Sequence, residues 1–458
     1  ALDMRAVNTA LQLVKQESPK LNIELATVTG GAVQKATQRA KLLAWFDTQH
    51  NFYLDNTRKE TVEEALATPR LNPTVKRALE ILQLLGKASV SKYTAMKNWA
   101  SDDGRVRGGL VFHSASTGRW AAVGPQMQNI VRSAIKDMDS LWAALFTKDR
   151  NLIQTVAIEL SKGKVTDVLA ALSHGIRGAI MAPEGRELFI CDFAGIEARV
   201  LPWLTYDDET LEVFRQNRDL YKEMACDISG VRLRADTADQ RQVAKVAVLA
   251  LGYGQGWRKF VATCAASKVE VSDDFAKQVV NAYRSKFWKI KQFWGELEEA
   301  SVVAIQEGGE RITAGRTTWF TENDWLYCEL PSGRRLAYPE AAVETVTTSW
   351  GAERQAMTFA GVNQYTRKWT RVGSYGGMLA NHVTQGCARD FFGEAVKRLE
   401  ASGTFFMTMA IHDEAVCEAE IGAGTTEQVA CIMEELPSWA DGCPIKAECG
   451  KSKRYRKL

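Results

Sequence analysis

The stretch Arg241-Gln-Val-Ala-Lys245-Val-Ala-Val-Leu249-Ala-Leu-Gly252-Tyr253-Gly254 is the one around which the rest of the chain can be read. Arg241, Lys245 and Leu249 stand four residues apart, and Tyr253 follows at the same interval. A helix turns once in about 3.6 residues, so a spacing of four drifts by only about 40° per step and keeps these side chains on one stripe. The other faces carry Val243, Val246, Ala247, Val248 and Leu251, which read as core, and Gly252 and Gly254 stop the helix. Two cations a turn apart, followed by a flat apolar end and a ring, suit a triphosphate laid along the helix with its base at the far end. The alternative is a surface helix with two solvated cations.

At 458 residues the chain exceeds one simple core, and about two to four subdomains are expected. The formal net charge is +3, yet Lys451, Lys453, Arg454, Arg456 and Lys457 fall in the last eight residues, and removing these five leaves −2. Bulk charge therefore announces no nucleic-acid partner, and a polyanion site has to be a local groove. The basic end is expected to be solvated and frayed, with contact to phosphate as the alternative. Nine scattered cysteines with no Cys-x-x-Cys pair and no zinc-like spacing imply reduced thiols in a cytoplasmic protein. No apolar run reaches membrane length and no signal peptide is visible. The opening Ala-Leu-Asp, without Met, suggests a piece trimmed from something longer.

Residues 1–110 read as mostly helical, with apolar positions at Val7, Leu11, Leu13 and Val14 and again at Leu42, Leu43, Trp45 and Phe46. Residues 74–85 form a helix with Val75, Leu79 and Leu82 on one side. Between Lys87 and Lys97, hydroxyls, Lys92 and Tyr93 suit a sequence-blind grip on a phosphate backbone, or a plain polar helix end. Residues 105–132 read as a short strand entering a loop of amide, hydroxyl and guanidinium donors. There Arg119, Gln126, Gln128 and Asn129 are either minor-groove donors or turn residues. Residues 133–180 and 207–304 read as helices, and 308–339 as hairpins. In a further helix over 377–400, Asn381 and Gln385 lie one turn apart, as two amide donors or an ordinary polar face.

Two acidic stretches carry the chemistry. In Leu188-Phe-Ile-Cys-Asp192-Phe-Ala-Gly-Ile-Glu197, an apolar strand ends in an acid and a helix follows at once. Asp192 is either a helix cap or an ion ligand. In Phe405-Phe-Met-Thr-Met-Ala-Ile-His412-Asp413-Glu414, two apolar strands meet at a turn holding adjacent acids, which is costly without a cation. The joint account is a divalent metal site of hard carboxylate oxygens, for Mg²⁺ with Mn²⁺ as substitute. Two such ions, about 3.5–4 Å apart, suit an in-line phosphoryl displacement.

Taken in order, these stretches resemble the signatures of the family A DNA polymerases, the bacterial DNA polymerase I group. Residues 192–199 resemble its motif A, 241–254 its motif B and 412–414 its motif C. Thr117-Gly-Arg119 with Gln128-Asn129, and Asn381-x₃-Gln385-Gly, match two more, and the style of several segments looks like the phage and prophage branch. The resemblance implies an α+β right-hand fold with an antiparallel-sheet palm and helical fingers and thumb. A palm-associated segment is expected at 1–19, thumb at 20–110, palm at 111–206, fingers at 207–304 and the rest of the palm at 305–458.

The resemblance also implies roles. Asp192 and Asp413 bind two Mg²⁺ ions, and Glu414 supports them. Arg241 and Lys245 hold the triphosphate, and Lys245 protonates the leaving pyrophosphate. Tyr253, Leu249 and Tyr221 lie by the nucleotide, and Glu197 is the steric gate against a ribose 2′-OH. Arg119, Gln128, Asn129, Asn381, Gln385 and His412 contact DNA near the primer end. The implied activity is primer extension on template DNA with dNTPs, in a bacterial or phage-infected cytoplasm; replication accessory proteins stay open as partners. The family's exonuclease would precede residue 1, so no proofreading is expected of this chain. Rival readings are a single-subunit RNA polymerase, a silent DNA clamp and a metal-dependent nuclease. The chain departs from the family at Leu249, where Phe or Tyr is usual, at Ala194-Gly195 for Ser-Gln, and at Tyr221 for His.

Overall fold

The first helix is opened by Asp3, whose carboxylate accepts from the Ala6 N–H at 3.0 Å. This computed structural model describes residues 1–458 apart from 87, 230–237, 348–350, 352, 364–365, 367 and 458. Helices α1 (Met4–Val28), α2 (Arg39–His50), α3 (Lys59–Leu66), α4 (Pro73–Leu85) and α5 (Ala88–Trp99) fill the expected helical region. Asn72 caps α4 and Pro73 takes its first turn, which accounts for the break before it. Short strands β1 (Leu110–Val111) and β2 (Ala121–Ala122) pair around a loop, followed by α6 (Met138–Thr147), α7 (Arg150–Ser161) and α8 (Val168–Gly175).

Next come β3 (Arg186–Phe193), α9 (Ile196–Leu204), α10 (Asp208–Arg215), α11 (Leu220–Ser229), α12 (Ala238–Leu251), α13 (Trp257–Ala266), α14 (Asp273–Lys286) and α15 (Trp288–Glu307). Strands β4 (Ile312–Ala314), β5 (Thr317–Glu322), β6 (Trp325–Glu329) and β7 (Arg335–Tyr338) form the hairpins expected there. Strands β8 (Ala342–Thr347), β9 (Glu353–Val362) and β10 (Trp369–Gly373) form another sheet that the sequence did not suggest. β8 and β10 are largely exposed on both faces, so they carry no inside–outside alternation to read. The chain closes with α16 (Gly376–Ala401), β11 (Phe406–Ile411), β12 (Glu414–Glu420), α17 (Thr426–Glu434) and β13 (Ala447–Ser452).

A four-stranded antiparallel sheet in the order β11-β12-β3-β13 divides the molecule. Successive residues of β3 face opposite sides. Leu188 and Ile190 join the apolar cluster of α1 to α8, while Phe189, Cys191 and Phe193 join the cluster of α9 to α17. β12 does the same, with Val416 on one side and Ala415, Cys417 and Ala419 on the other. Both strands therefore carry apolar residues on both faces.

Two expectations are corrected here. Cys191 and Cys449 face each other in the β3–β13 ladder, with Cα atoms 4.2 Å apart, and are joined as a disulfide. They are 258 residues apart in sequence, so spacing gave no hint of the pairing. The other seven cysteines form no disulfide. The basic end is not frayed either. Lys453 donates to the Pro183 carbonyl at 2.6 Å, and Arg454 to the Gly178 carbonyl at 2.6 Å and to Asp3 at 2.7 Å. Tyr455, fully buried, anchors the segment, because its ring has apolar neighbours and its N–H bonds the Ile180 carbonyl at 2.8 Å.

The start of α16 touches the end of α12. A Cβ on Gly377 would sit 2.2 Å from the Tyr253 carbonyl oxygen, and one on Gly376 would sit 2.1 Å from that of Trp294. The obstacle is backbone in both cases, so it cannot swing aside. Gly377→Ala is expected to lower the melting temperature by several degrees, a loss of about 1–3 kcal/mol. Thermal unfolding followed by circular dichroism checks this.

Candidate active site

The β3–β12 register places Asp192 opposite Glu414. The two-residue turn between β11 and β12 is His412-Asp413, with Ile411 paired to Glu414. His412 has φ 59°, the left-handed backbone such turns need and non-glycine residues adopt at a cost. The Phe193 N–H donates to the Asp413 carbonyl at 3.4 Å, tying the turn to the end of β3. Asp192 is not a helix cap, since the cap of α9 is Gly195, with φ 60° and no side-chain cap bond. Burial, and after it the charge of Asp192, push the Asp413 carboxyl up to about 7.

Glu414 is 1% exposed. One of its oxygens accepts from the Tyr455 hydroxyl and the other from Lys457 Nζ at 2.8 Å. Lys457 also donates to Asp192, and Arg177 donates to the Tyr455 hydroxyl. Among the described residues no group of three or more His, Cys, Asp or Glu side chains forms a ready metal cage. A pair of hard carboxylates, one of them burdened by its neighbour's charge, still fits a divalent ion that takes its remaining ligands from substrate and water. Asp192 and Asp413 would be its holders. Glu414, committed on both oxygens, supports from behind.

On α12 the stripe forms as expected, with Val243, Val246, Ala247, Val248 and Leu251 buried beneath it. The helix ends at Leu251, so Tyr253 stands in the turn just beyond it. Arg241 is held by Asp219 at 2.7 Å. The Tyr221 ring lies under both cations, 5.3 Å from the Arg241 guanidinium and 5.9 Å from Lys245 Nζ. Leu249 is 42% exposed and shares a cleft with Glu197, Ala198, Val248 and Tyr253. Glu197 accepts from Tyr253 at 2.7 Å and from Arg119 at 2.6 Å. Two of the departures from the family meet in space, for a Cβ on Gly195 would lie 3.5 Å from the Tyr221 hydroxyl.

Arg119 is delivered by a loop pinned to α16. Arg334 bonds the Thr117 and Gly386 carbonyls at 3.0 Å each, and Arg389 bonds the Gly118 carbonyl at 3.1 Å. Asn381 and Gln385 are half exposed on α16, the helix to which this loop is pinned. Gln128 bonds the Trp120 carbonyl at 3.2 Å, and Asn129 bonds Gln126 at 3.4 Å. His412 is exposed beside Asp413. Lys92 departs from the expected phosphate grip: its ammonium donates to the Pro125 and Gln126 carbonyls at 2.9 and 3.0 Å. It thereby braces the loop that carries Gln128. Lys87 lies outside the described residues.

The sequence model of DNA polymerase family A matches residues 37–457. The chain belongs to this family. It is 34% identical over 462 residues to the DNA polymerase of Bacillus phage SP02, covering 100% of this chain and 68% of that one. It is 26% identical over 289 residues to the thermostable DNA polymerase I of Thermus aquaticus, covering 62% of this chain and 28% of that protein. In structure it resembles the POL domain of Pol1 from M. smegmatis, solved in complex with DNA primer-template and dNTP. That match has a TM-score of 0.65 at 18% identity, over 99% of this chain and 67% of that one. The fold is that of a right-hand polymerase domain, with mixed helix and antiparallel sheet. Among the described residues no helix is long and apolar enough to cross a membrane.

In this family A polymerase, sequence reasoning missed Asp219, Tyr455 and Lys457. Asp219 stands two residues before Tyr221 with no motif to mark it. Tyr455 is the one aromatic in the basic end, and an apolar anchor amid cations was the available signal.

The Asp413 carboxyl, raised from 3.8 to about 7 in the folded polymerase, disfavours folding once it must ionise. The cost is absent below pH 3.8, grows as pH rises and is complete above about 7. Asp413→Asn is therefore expected to melt several degrees higher than the parent at pH 8 in EDTA, with the gain gone near pH 4. Calorimetry across that range checks the sign.

Proposed function

We propose that this chain extends a primer 3′-OH with template-directed dNTPs, using two Mg²⁺ ions held by Asp192 and Asp413, and without proofreading of its own. The observation that carries the reading is the Asp413 carboxyl held beside Asp192 at the end of the central sheet. When bound, the ions would acidify the primer hydroxyl and offset charge on the leaving pyrophosphate.

The chain's own groups carry the rest. Arg241 and Lys245, oriented by Asp219 and Tyr221, hold the triphosphate, and Lys245 donates a proton to pyrophosphate as it leaves. Leu249 and Tyr253 form the apolar floor for the incoming base. Glu197, fixed from both sides by Arg119 and Tyr253, fills the space a ribose 2′-OH would need. Arg119, Asn381, Gln385, Gln128 and Asn129 face the minor groove near the primer end, whose acceptors occur at every base pair. His412 stands by the primer terminus. In this reading residues 20–110 are the thumb, 207–304 the fingers and the remainder the palm, and the site lies where palm and fingers meet.

Primer extension on a primed single-stranded template tests the whole. With Mg²⁺, dNTPs are expected to support extension and rNTPs not. Asp192→Asn and Asp413→Asn are each expected to lower the rate by about a thousandfold or more. Retained extension in either variant refutes the mechanism. Glu197→Ala is expected to raise rNTP incorporation relative to dNTP by at least about tenfold. Comparable use of rNTPs by the parent would return the RNA-synthesis reading. A primer ending in a mismatch should be neither shortened nor corrected.

A further inference from the structure

Lys457 has no place in the family signatures, yet its ammonium sits in the carboxylate cluster. Nζ bridges Asp192 Oδ2 and Glu414 Oε2. Its reach is fixed by Tyr455, whose main chain is bonded to Ile180 and whose hydroxyl takes the other Glu414 oxygen. Arg454 and Lys453 pin the same segment to Gly178, Asp3 and Pro183. The ammonium is therefore presented by an anchored backbone. Among the described residues it is the cation in ion-pair contact with Asp192.

A divalent ion and this ammonium claim the same carboxylate. Mg²⁺ binds a carboxylate oxygen at about 2.0–2.1 Å, and an ammonium hydrogen-bonded to that oxygen would stand against it as a like charge. Glu414 offers Lys457 a second acceptor that the ion does not need.

We propose that Lys457 is a tethered counter-ion of the metal site, which competes with the divalent cation for Asp192 and sets the affinity of the site. Ion entry moves Nζ off Asp192 Oδ2 while Glu414 retains it. This rests on the metal-site reading above. Lys457 is a positioning residue: it acts through Asp192.

Mn²⁺ binding to the full chain, without DNA or nucleotide and measured by the electron paramagnetic resonance of free Mn²⁺, tests this. Lys457→Gln keeps a donor for Glu414 and removes the charge. It is expected to bind Mn²⁺ about tenfold more tightly than the parent, and Lys457→Arg to bind like the parent. A second readout uses the parent itself. Acetylation of Lys457 by an amine-reactive ester, followed by mass spectrometry, should speed up as Mn²⁺ saturates the site. Unchanged or weaker Mn²⁺ binding in Lys457→Gln overturns the proposal, as does a Lys457 acetylation rate indifferent to Mn²⁺. If Lys457→Gln does not fold, the acetylation result decides alone. Asp413→Asn, run in parallel, separates the two levels. Loss of Mn²⁺ binding there leaves the metal reading standing whatever Lys457 does. Retained binding removes that reading and this proposal with it.

Discussion

The pairing of β3 with β12 is the constraint on which the rest depends. Both strands are buried on both faces and serve two apolar clusters at once, so a slip of one residue would turn each cluster's side chains into the other. The register is therefore tightly specified, and the register is what brings Asp192 opposite Glu414 and sets the Asp413 turn at the same end. Carboxylates placed together by so much apolar packing cannot drift apart to relieve their repulsion. The sheet holds the strain, and the site carries it as a raised Asp413 carboxyl and a left-handed His412.

Around that sheet, the side chains of the site are held by one another and by neighbouring loops. Tyr221 and Asp219 order the α12 cations, and Arg334 and Arg389 fix the loop bearing Arg119. Arg119 and Tyr253 hold Glu197. Glu197 thus joins Tyr253, in the turn just beyond α12, to the loop that bears Arg119. Gly377 lets the start of α16 close on the turn after α12, and Gly376 lets it close on α15.

Two of the departures from the family, Gly195 and Tyr221, meet in space. They are neighbours across the motif-A turn, and a Cβ at 195 would touch the phenol that lies under Arg241 and Lys245. Leu249 stands apart from them, in a cleft with Glu197, Ala198, Val248 and Tyr253. Gly195 and Tyr221 are close enough for substitutions at the two positions to be coupled.

Much of this was legible in the order of residues. Period-four spacing placed Arg241, Lys245 and Leu249 on one face, because helical geometry is local. Apolar runs ending in acids marked β3 and the β11–β12 turn, because strands buried on both faces admit little else. The helices and the hairpins at 312–338 followed from periodicity and turn residues. What only the tertiary structure decided was everything that depends on distant segments meeting. Cys191 met Cys449 through a strand register that spacing does not encode. Lys92 turned to two carbonyls instead of outward. The basic end, solvated by any local criterion, was drawn in by one tyrosine and set a cation among the carboxylates. The edge strands β8 and β10, with no buried position on either face, left no pattern to read. Local sequence determines periodicity and chemistry, but which charges share one low-dielectric pocket is fixed by packing across the whole chain.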